Sequence, residues 1–349
     1  MPSYALQPRA LTVGSGSSAV TATRWGIAGT GGIATAFLDD LVHVPTAEVV
    51  AIGSRTRERA REFAEPWGAA ALTYGELVAA DLDALYVATP HPQHRDLVLA
   101  AIGNGIPVLV EKAFTATLPG AHDVVEAARQ AGVFCMEAMW TRMQPAVLLA
   151  RELVAGGEIG DVTSVHADFG AYRVYDPTHR LFAPELGGGA VLDLGVYVIS
   201  IAQHFLGTPD GVTATGTLYP NGTDASASLL LTYDDGRGAT LITTLQAATG
   251  GRATVTGTRG SIELSPPFHH PTRLVVRRLG EEAQQIDAPA VGRGYAHQIV
   301  HVQECLAAGL TESPLMPLQD TLDVQWVMQQ TLEQIGVSPQ EGTVDLTTG

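Results

Sequence analysis

The chain has 349 residues, enough at roughly 150 per domain for about two domains, with no need of disulfides or a metal to complete a core. A hydrophobic fraction of 46 % excludes disorder over most of the length, and charged residues make up only 16 %, below the roughly 25 % of an average globular protein. Lys and Arg total 20 against 36 Asp and Glu, a formal net charge of −16, which argues against a broad nucleic-acid or anionic-membrane surface while leaving room for a small local anion site.

Residues 1–23 read as a flexible arm, with a Gly and Ser tract at 14–18 and no compact apolar core of a signal peptide. From Arg24 to about Met136, short apolar runs alternate with helical stretches. The strands are Trp25–Ala28, Val49–Ser54, Ala70–Thr73, Ala84–Ala88, Pro107–Val110 and Val133–Met136. The helical stretches between them include Thr56–Glu65, Pro92–Gly103 and Leu118–Gln130, the last stopped by Gly132. This alternation means βαβ units and a parallel sheet. A helix follows near Gln144–Ala155, and then the texture changes. Val162–Ala171, Val212–Tyr219, Ser226–Tyr233 and Ala239–Leu245 are Thr- and Val-rich strands. Asp234–Gly238 is a hairpin turn, and so is Thr258–Gly260 before Ser261–Leu264. Arg273–Arg278 reads as a further strand. Late helices cover Tyr295–Ala308 and start again at Pro317, where Leu318, Leu322 and Trp326 fall on one face. The fold class is α/β: an N-terminal Rossmann domain (a doubly wound parallel sheet) over 24–142, then an α+β domain with an open, mainly antiparallel sheet over 143–349.

Gly29-Thr30-Gly31-Gly32-Ile33-Ala34 follows the first strand and opens a helix. It matches the dinucleotide fingerprint: one glycine for the tight turn, a second for close approach of a pyrophosphate, and a small residue for helix–strand packing, with free N–H groups meeting the phosphate charge. The second strand ends in Gly53-Ser54-Arg55-Thr56-Arg57, with no acid until Glu58. An NAD reader usually carries Asp or Glu there, whereas Ser54 and Arg55 suit a 2′-phosphate; the competing reading is solvated arginines at a helix start. The expected cofactor is NADP(H), with NAD(H) possible. Two cysteines, Cys135 and Cys305, cannot build a disulfide framework, so a reduced, cytoplasmic setting is expected. No metal is expected, because His91 and His94 lack partners at ligand spacing. No apolar run approaches the roughly 18 residues of a membrane span.

Three further segments carry a family likeness: Ala88-Thr89-Pro90-His91-Pro92-Gln93-His94, Glu111-Lys112, and Gly187-Gly188-Gly189-Ala190-Val191-Leu192-Asp193-Leu194-Gly195-Val196-Tyr197. Together with the fingerprint, they resemble the glucose–fructose oxidoreductase, inositol dehydrogenase and rhizopine-catabolism (Gfo/Idh/MocA) family over about residues 24–335. Met136–Arg142 and Tyr197 point to its dimeric dihydrodiol dehydrogenase and NADP-linked D-xylose dehydrogenase branch. The resemblance implies hydride transfer between NADP and a hydroxyl-bearing carbon of a cyclic polyol, aldose or trans-dihydrodiol. It also implies a homodimer paired through the open sheet face. The alternatives are a keto-sugar reductase working in reverse and a non-catalytic NADP-binding sensor, although a sensor needs neither Lys112 nor Tyr197.

On this resemblance Lys112, just past the fifth strand, bonds the reacting oxygen, and Tyr197 transfers the proton. The competing readings are a surface lysine and a core tyrosine. The tyrosine pKa of about 10 must fall to be useful, and a nearby ammonium would lower it. Asp193 either binds a substrate hydroxyl, orients Lys112, or caps a helix. Thr89, Pro90, His94 and Glu111 line the cofactor. Trp140 is an apolar wall for the substrate or a core residue, and Arg142 is a further substrate-site candidate. His269-His270 reads as a turn. The family usually has Glu-Lys-Pro where this chain has Glu111-Lys112-Ala113, so a trans bond is expected before Ala113.

Overall fold

The computed structural model describes residues 22–347, so all but the end of the expected N-terminal arm lies outside the described residues. Thr23 already belongs to a strand. The first sheet is parallel, with six strands: β1 (Thr23–Ala28), β2 (Ala47–Ser54), β3 (Ala70–Thr73), β4 (Ala84–Val87), β5 (Val108–Val110) and β6 (Cys135–Glu137), in the order β3-β2-β1-β4-β5-β6. That order reverses between β1 and β4, and a crevice opens there at the carboxyl ends. The crossovers are α1 (Gly32–Leu41), α2 (Arg57–Ala64), α3 (Tyr74–Leu77), α4 (His94–Gly103) and α5 (Leu118–Ala131). Local chemistry starts and stops them. Thr56 and Thr117 cap α2 and α5 through their side chains, and Gly132 ends α5 in the left-handed region.

The chain then passes through a short turn, Trp140–Met143, into α6 (Pro145–Ala155) and the first strand of the second sheet, β7 (Val162–Gly170). A π-helical turn, Val191–Gly195, runs directly into α7 (Val196–Leu206). The remaining strands are β8 (Gly211–Leu218), β9 (Asp224–Thr232), β10 (Gly238–Thr244), β11 (Ala253–Gly257), β12 (Gly260–Leu264), β13 (Arg273–Arg278) and β14 (Gln284–Asp287). This eight-stranded sheet has the order β14-β13-β12-β11-β7-β10-β9-β8. Every neighbouring pair is antiparallel except β7 with β10. The sheet is thus mainly antiparallel, as expected. β11 and β14 escape the sequence reading, the latter because Gln284–Asp287 is largely polar.

Two helices complete the fold, α8 (Tyr295–Ala307) and α9 (Leu318–Ile335). One apolar cluster runs from Trp25, Phe37 and Tyr86 on one face of the parallel sheet, through α7, to Leu229, Leu231 and Leu241 on the inner face of the second sheet. A second cluster fills the opposite face of the parallel sheet with α4, α5 and the start of α9. By length and hydropathy Pro184–Leu206 could cross a membrane, contrary to the expectation that no run comes close; it is 89 % buried inside this fold.

Candidate active site

A cleft of about 560 Å³ opens at the carboxyl ends of β1, β2, β4 and β5, within the size range of small-molecule sites. Its floor is the glycine turn. Gly29 has φ of +118°, and a Cβ there would sit 2.6 Å from the Ala88 carbonyl oxygen, so only glycine fits. Gly31 and Gly32 face open space, leaving backbone N–H groups of the α1 N-terminus unobstructed. Thr30, Ile33, Ser54, Arg55, Thr89, Pro90, Glu111 and Lys112 all line the cleft. Among the described residues the buried Thr89 hydroxyl has no partner, and a ligand would satisfy it.

Arg55 and Arg59 stand at the β2 end of the cleft with the buried Tyr74 beside them. Arg59 Nε donates to Thr30 Oγ1 at 2.9 Å, while Arg57 turns away to pair with Glu76. Burial raises the Tyr74 phenol, and the two arginines oppose that shift. Among the described residues Arg55 has no ion-pair partner. Arg55 and Arg59 make this end of the cleft cationic, and paired guanidinium groups can bind a phosphate. Arg59, Tyr74 and Arg180 are cleft residues that sequence reasoning missed. Arg59 lies in the first turn of α2, shortly after Arg55 in the chain, whereas Arg180 arrives from a distant loop.

At the other end of the cleft Lys112 and Asp193 line the wall, and the buried Tyr197 packs against Lys112 just behind it. The Lys112 ammonium donates to the Asp193 backbone oxygen at 2.8 Å, lies 3.5 Å from its carboxylate, and sits 4.9 Å from the Tyr197 ring centroid. Arg180 pairs with the same carboxylate at 3.3 Å. Burial disfavours the Asp193 charge, yet Lys112 and Arg180 hold its pKa down to about 2. Asp193 and Tyr197 share a face because the π turn and α7 form one continuous helical run.

Tyr197 departs from expectation. Its pKa is raised, not lowered, because the phenol is buried and near Glu111, and the ammonium faces the ring rather than the hydroxyl. The indole N–H of Trp140 donates to the Tyr197 hydroxyl at 3.0 Å, a bond that does not use the phenol proton. Trp140 therefore acts behind the site. It is 6 % exposed, stacks on Tyr295 with ring centroids 4.2 Å apart, and is absent from the cleft wall. His269 and His270 do form a turn, but the His269 ring also stacks on Phe169 at 4.4 Å and approaches Tyr197 at 5.3 Å.

Two further candidates lie elsewhere. Arg142 does not face the cleft. Its side chain is 1 % exposed and is held by Asp320 at 2.5 Å, by Gln203 and by Ser200, because a buried guanidinium has to find its partners in the core. His94 is also fully buried, with its ring nitrogens 2.8 Å from the Thr89 oxygen and 3.0 Å from the Ala113 oxygen. Its neighbour His91 reaches the cleft instead and lies 3.1 Å from the Gly187 oxygen and 3.2 Å from the Lys112 oxygen. The Lys112–Ala113 bond is cis, against expectation. The expectation weighed only the local preference, whereas the carbonyls on both sides of this bond are engaged by His91 and His94. Among the described residues no group of three or more His, Cys, Asp or Glu could hold a metal ion.

Comparison with known proteins adds to this geometry. Residues 23–139 match the model of an oxidoreductase family with an NAD-binding Rossmann fold, GFO/IDH/MocA, and residues 147–263 match the GFO/IDH/MocA C-terminal domain. The chain is 37 % identical over 332 residues to the trans-1,2-dihydrobenzene-1,2-diol dehydrogenase of Xenopus tropicalis, covering 91 % of this chain and 99 % of that one. The Homo sapiens protein of that name is 32 % identical over 336 residues, covering 92 % and 99 %. A 3-ketoreductase from Actinomadura kijaniata, solved with NADP and TDP-benzene, superposes with a TM-score of 0.78 at 27 % identity, covering 90 % of this chain and 98 % of that one. An aldose-aldose oxidoreductase from Caulobacter crescentus shares the fold, with a TM-score of 0.80 at 23 % identity and coverage of 90 % and 97 %.

Proposed function

Since this chain belongs to the GFO/IDH/MocA family of oxidoreductases, we propose that it is an NADP-dependent enzyme acting on a hydroxyl-bearing carbon of a cyclic polyol, aldose or trans-dihydrodiol. The observation that carries this reading is the pairing of Lys112 with Asp193 at one end of a cleft whose other end is a phosphate-type glycine turn, with Tyr197 packed against Lys112 just behind the wall. In this reading Gly29–Ile33 would hold the pyrophosphate, Arg55 with Arg59 and Ser54 the 2′-phosphate, and Thr89, Pro90 and Glu111 the nicotinamide half. When bound, the nicotinamide supplies the hydride chemistry.

The chain's own residues handle charge and the proton. Asp193 fixes the Lys112 ammonium, which presents positive charge to the substrate oxygen and stabilises negative charge developing there. Tyr197, with one lone pair engaged by Trp140, gives its proton to that oxygen in reduction and takes it back in oxidation. A specific observation favours the reductive direction as a second reading. Burial keeps the phenol protonated, which is the state a proton donor needs. The proposal includes a reducing, cytoplasmic setting, consistent with two buried free cysteines. It also includes a homodimer through the outer face of the second sheet.

The test follows absorbance at the reduced-nicotinamide band. NADP is supplied with pentoses, hexoses and trans-diols, and NADPH with keto sugars. Turnover with at least one partner, faster with NADP(H) than with NAD(H), is the expected result. Cofactor binding without turnover in either direction would overturn the enzyme reading in favour of an NADP-binding sensor.

A further inference from the structure

The segment that carries Asp193 and Tyr197 is buried, and it borders two cavities. On one side of it Leu186 and Asp193 line the cofactor cleft. On the other side Gly187, Gly188 and Leu192 line a second cavity of about 480 Å³. Apolar packing of Ala190, Val191, Leu192 and Leu194 is non-directional, so it does not by itself set this backbone to a fraction of an ångström. Something polar has to fix it.

That anchor comes from the second sheet. Asp224, the first residue of β9, is 1 % exposed, and its Oδ2 accepts a hydrogen bond from the Val191 N–H at 2.7 Å. The carboxylate thus meets the N-terminus of the helical run leading to Tyr197, where backbone N–H groups oppose the burial that pushes its pKa up to about 6. Beside it, Thr243 Oγ1 donates to the Ala190 oxygen at 3.2 Å. Gly189 completes the fit. Its φ is +126°, and a Cβ there would lie 2.0 Å from Asp224 Oδ1, so the last glycine of the Gly187–Gly189 run is what lets the carboxylate reach its amide.

We infer that Asp224 is a positioning residue for the reaction: its carboxylate fixes the turn Gly189–Asp193, and through it the mutual placement of Lys112, Asp193 and Tyr197. The inference rests on the reading that Lys112 and Tyr197 handle the proton. The Asp193 backbone oxygen is the closest partner of the Lys112 ammonium. Slack in this turn therefore moves the ammonium directly, and misplacement of about 1 Å costs on the order of 100-fold in rate.

The experiment compares Asp224→Ala, Asp224→Asn, Gly189→Ala and Tyr197→Phe with the wild type. Hydrogen exchange of a peptide spanning 187–197 reads the anchor without any substrate. Turnover per NADPH-binding site and the NADPH dissociation constant, measured by fluorescence, read its consequence. Asp224→Ala and Gly189→Ala are expected to exchange faster in this peptide and to lose roughly 10- to 100-fold in kcat, with NADPH affinity within about twofold. Asparagine retains an acceptor for the Val191 N–H, so Asp224→Asn should restore both readouts to near wild type. A role in overall stability alone would lower the melting temperature without lowering turnover per binding site. Wild-type exchange and kcat in Asp224→Ala overturn the inference, and so does an equal loss in Asp224→Asn. If Asp224→Ala does not fold, Gly189→Ala decides by the same readouts, since it displaces the carboxylate without removing it. Full turnover in Tyr197→Phe would instead sink the proton-handling reading and leave the exchange result to judge the anchor.

Discussion

Tyr197 and Lys112 touch, ammonium to ring, and their replacement should reveal a shared task. Lys112→Met and Tyr197→Phe are each expected to lower kcat by roughly 10²–10⁴-fold. The double variant should lose far less than the product of the two, because parts of one unit are non-additive; steady-state kinetics on any turned-over substrate checks this. The pH dependence follows from the direction of the tyrosine shift. Burial beside Glu111 raises the phenol pKa, so the deprotonated form needed for oxidation grows by about tenfold per pH unit and has not levelled off at the ordinary value of about 10. The protonated form needed for reduction is saturated across that range. Oxidation should therefore rise steadily from pH 6 to 10 while reduction stays flat, and Tyr197→Phe should remove the slope. Arg55 gives the cofactor prediction. Calorimetry should find NADP bound more tightly than NAD. Arg55→Ala should erase most of the difference, on the order of 1.5–3 kcal/mol for a charge-assisted contact.

At the scale of elements, α7 is held from both ends. Asp224 meets its leading turn, and Arg142 grips Ser200 and Gln203 further along while pairing with Asp320 at the start of α9. The short turn Trp140–Met143 thus serves two ends at once. Trp140 sets the Tyr197 hydroxyl, and Arg142 ties α7 to α9. Breaking a buried pair by removing one partner costs about 3–5 kcal/mol, and Asp320 is 26 % exposed, so the low end applies. Arg142→Met should lower stability by about 3 kcal/mol in urea denaturation and leave the substrate KM nearly unchanged. A raised KM at unchanged stability would return Arg142 to the substrate site.

For the whole molecule, the eight-stranded sheet packs one face against α7 and α9 and leaves the other outward. Leu229, Leu231 and Leu241 point inward, while Leu230 and Ile242, 45 % and 40 % exposed, share the outer face with Thr240 and Ser228. The proposed two-fold dimer would cover this face. Light scattering at micromolar concentration should give a dimer mass for the wild type, and Leu230→Glu with Ile242→Glu should give a monomer. α9 links both halves of the chain. Leu318 and Leu322 join the core of the parallel sheet, whereas Val327 and Met328 join the cluster shared with the second sheet.

Much of this was determined by the sequence alone, wherever the cause is local. The glycine fingerprint, the alternation of strands and helices and the hairpin turns depend on residues a few positions apart, so the parallel sheet and the floor of the cleft were legible in the chain. The absence of an acid after β2 was legible for the same reason. Tertiary structure decided whatever depends on neighbours distant in sequence. Lys112 and Asp193 are 81 residues apart, and Arg142 and Asp320 are 178 apart. The same holds for the choice of His91 over His94 as the cleft residue, for the cis bond before Ala113 and for the parallel pairing of β7 with β10. The direction of the Tyr197 shift is the clearest instance. A sequence shows that a lysine exists, but desolvation and the side of the ring that an ammonium faces are properties of packing, and here burial outweighs the charge.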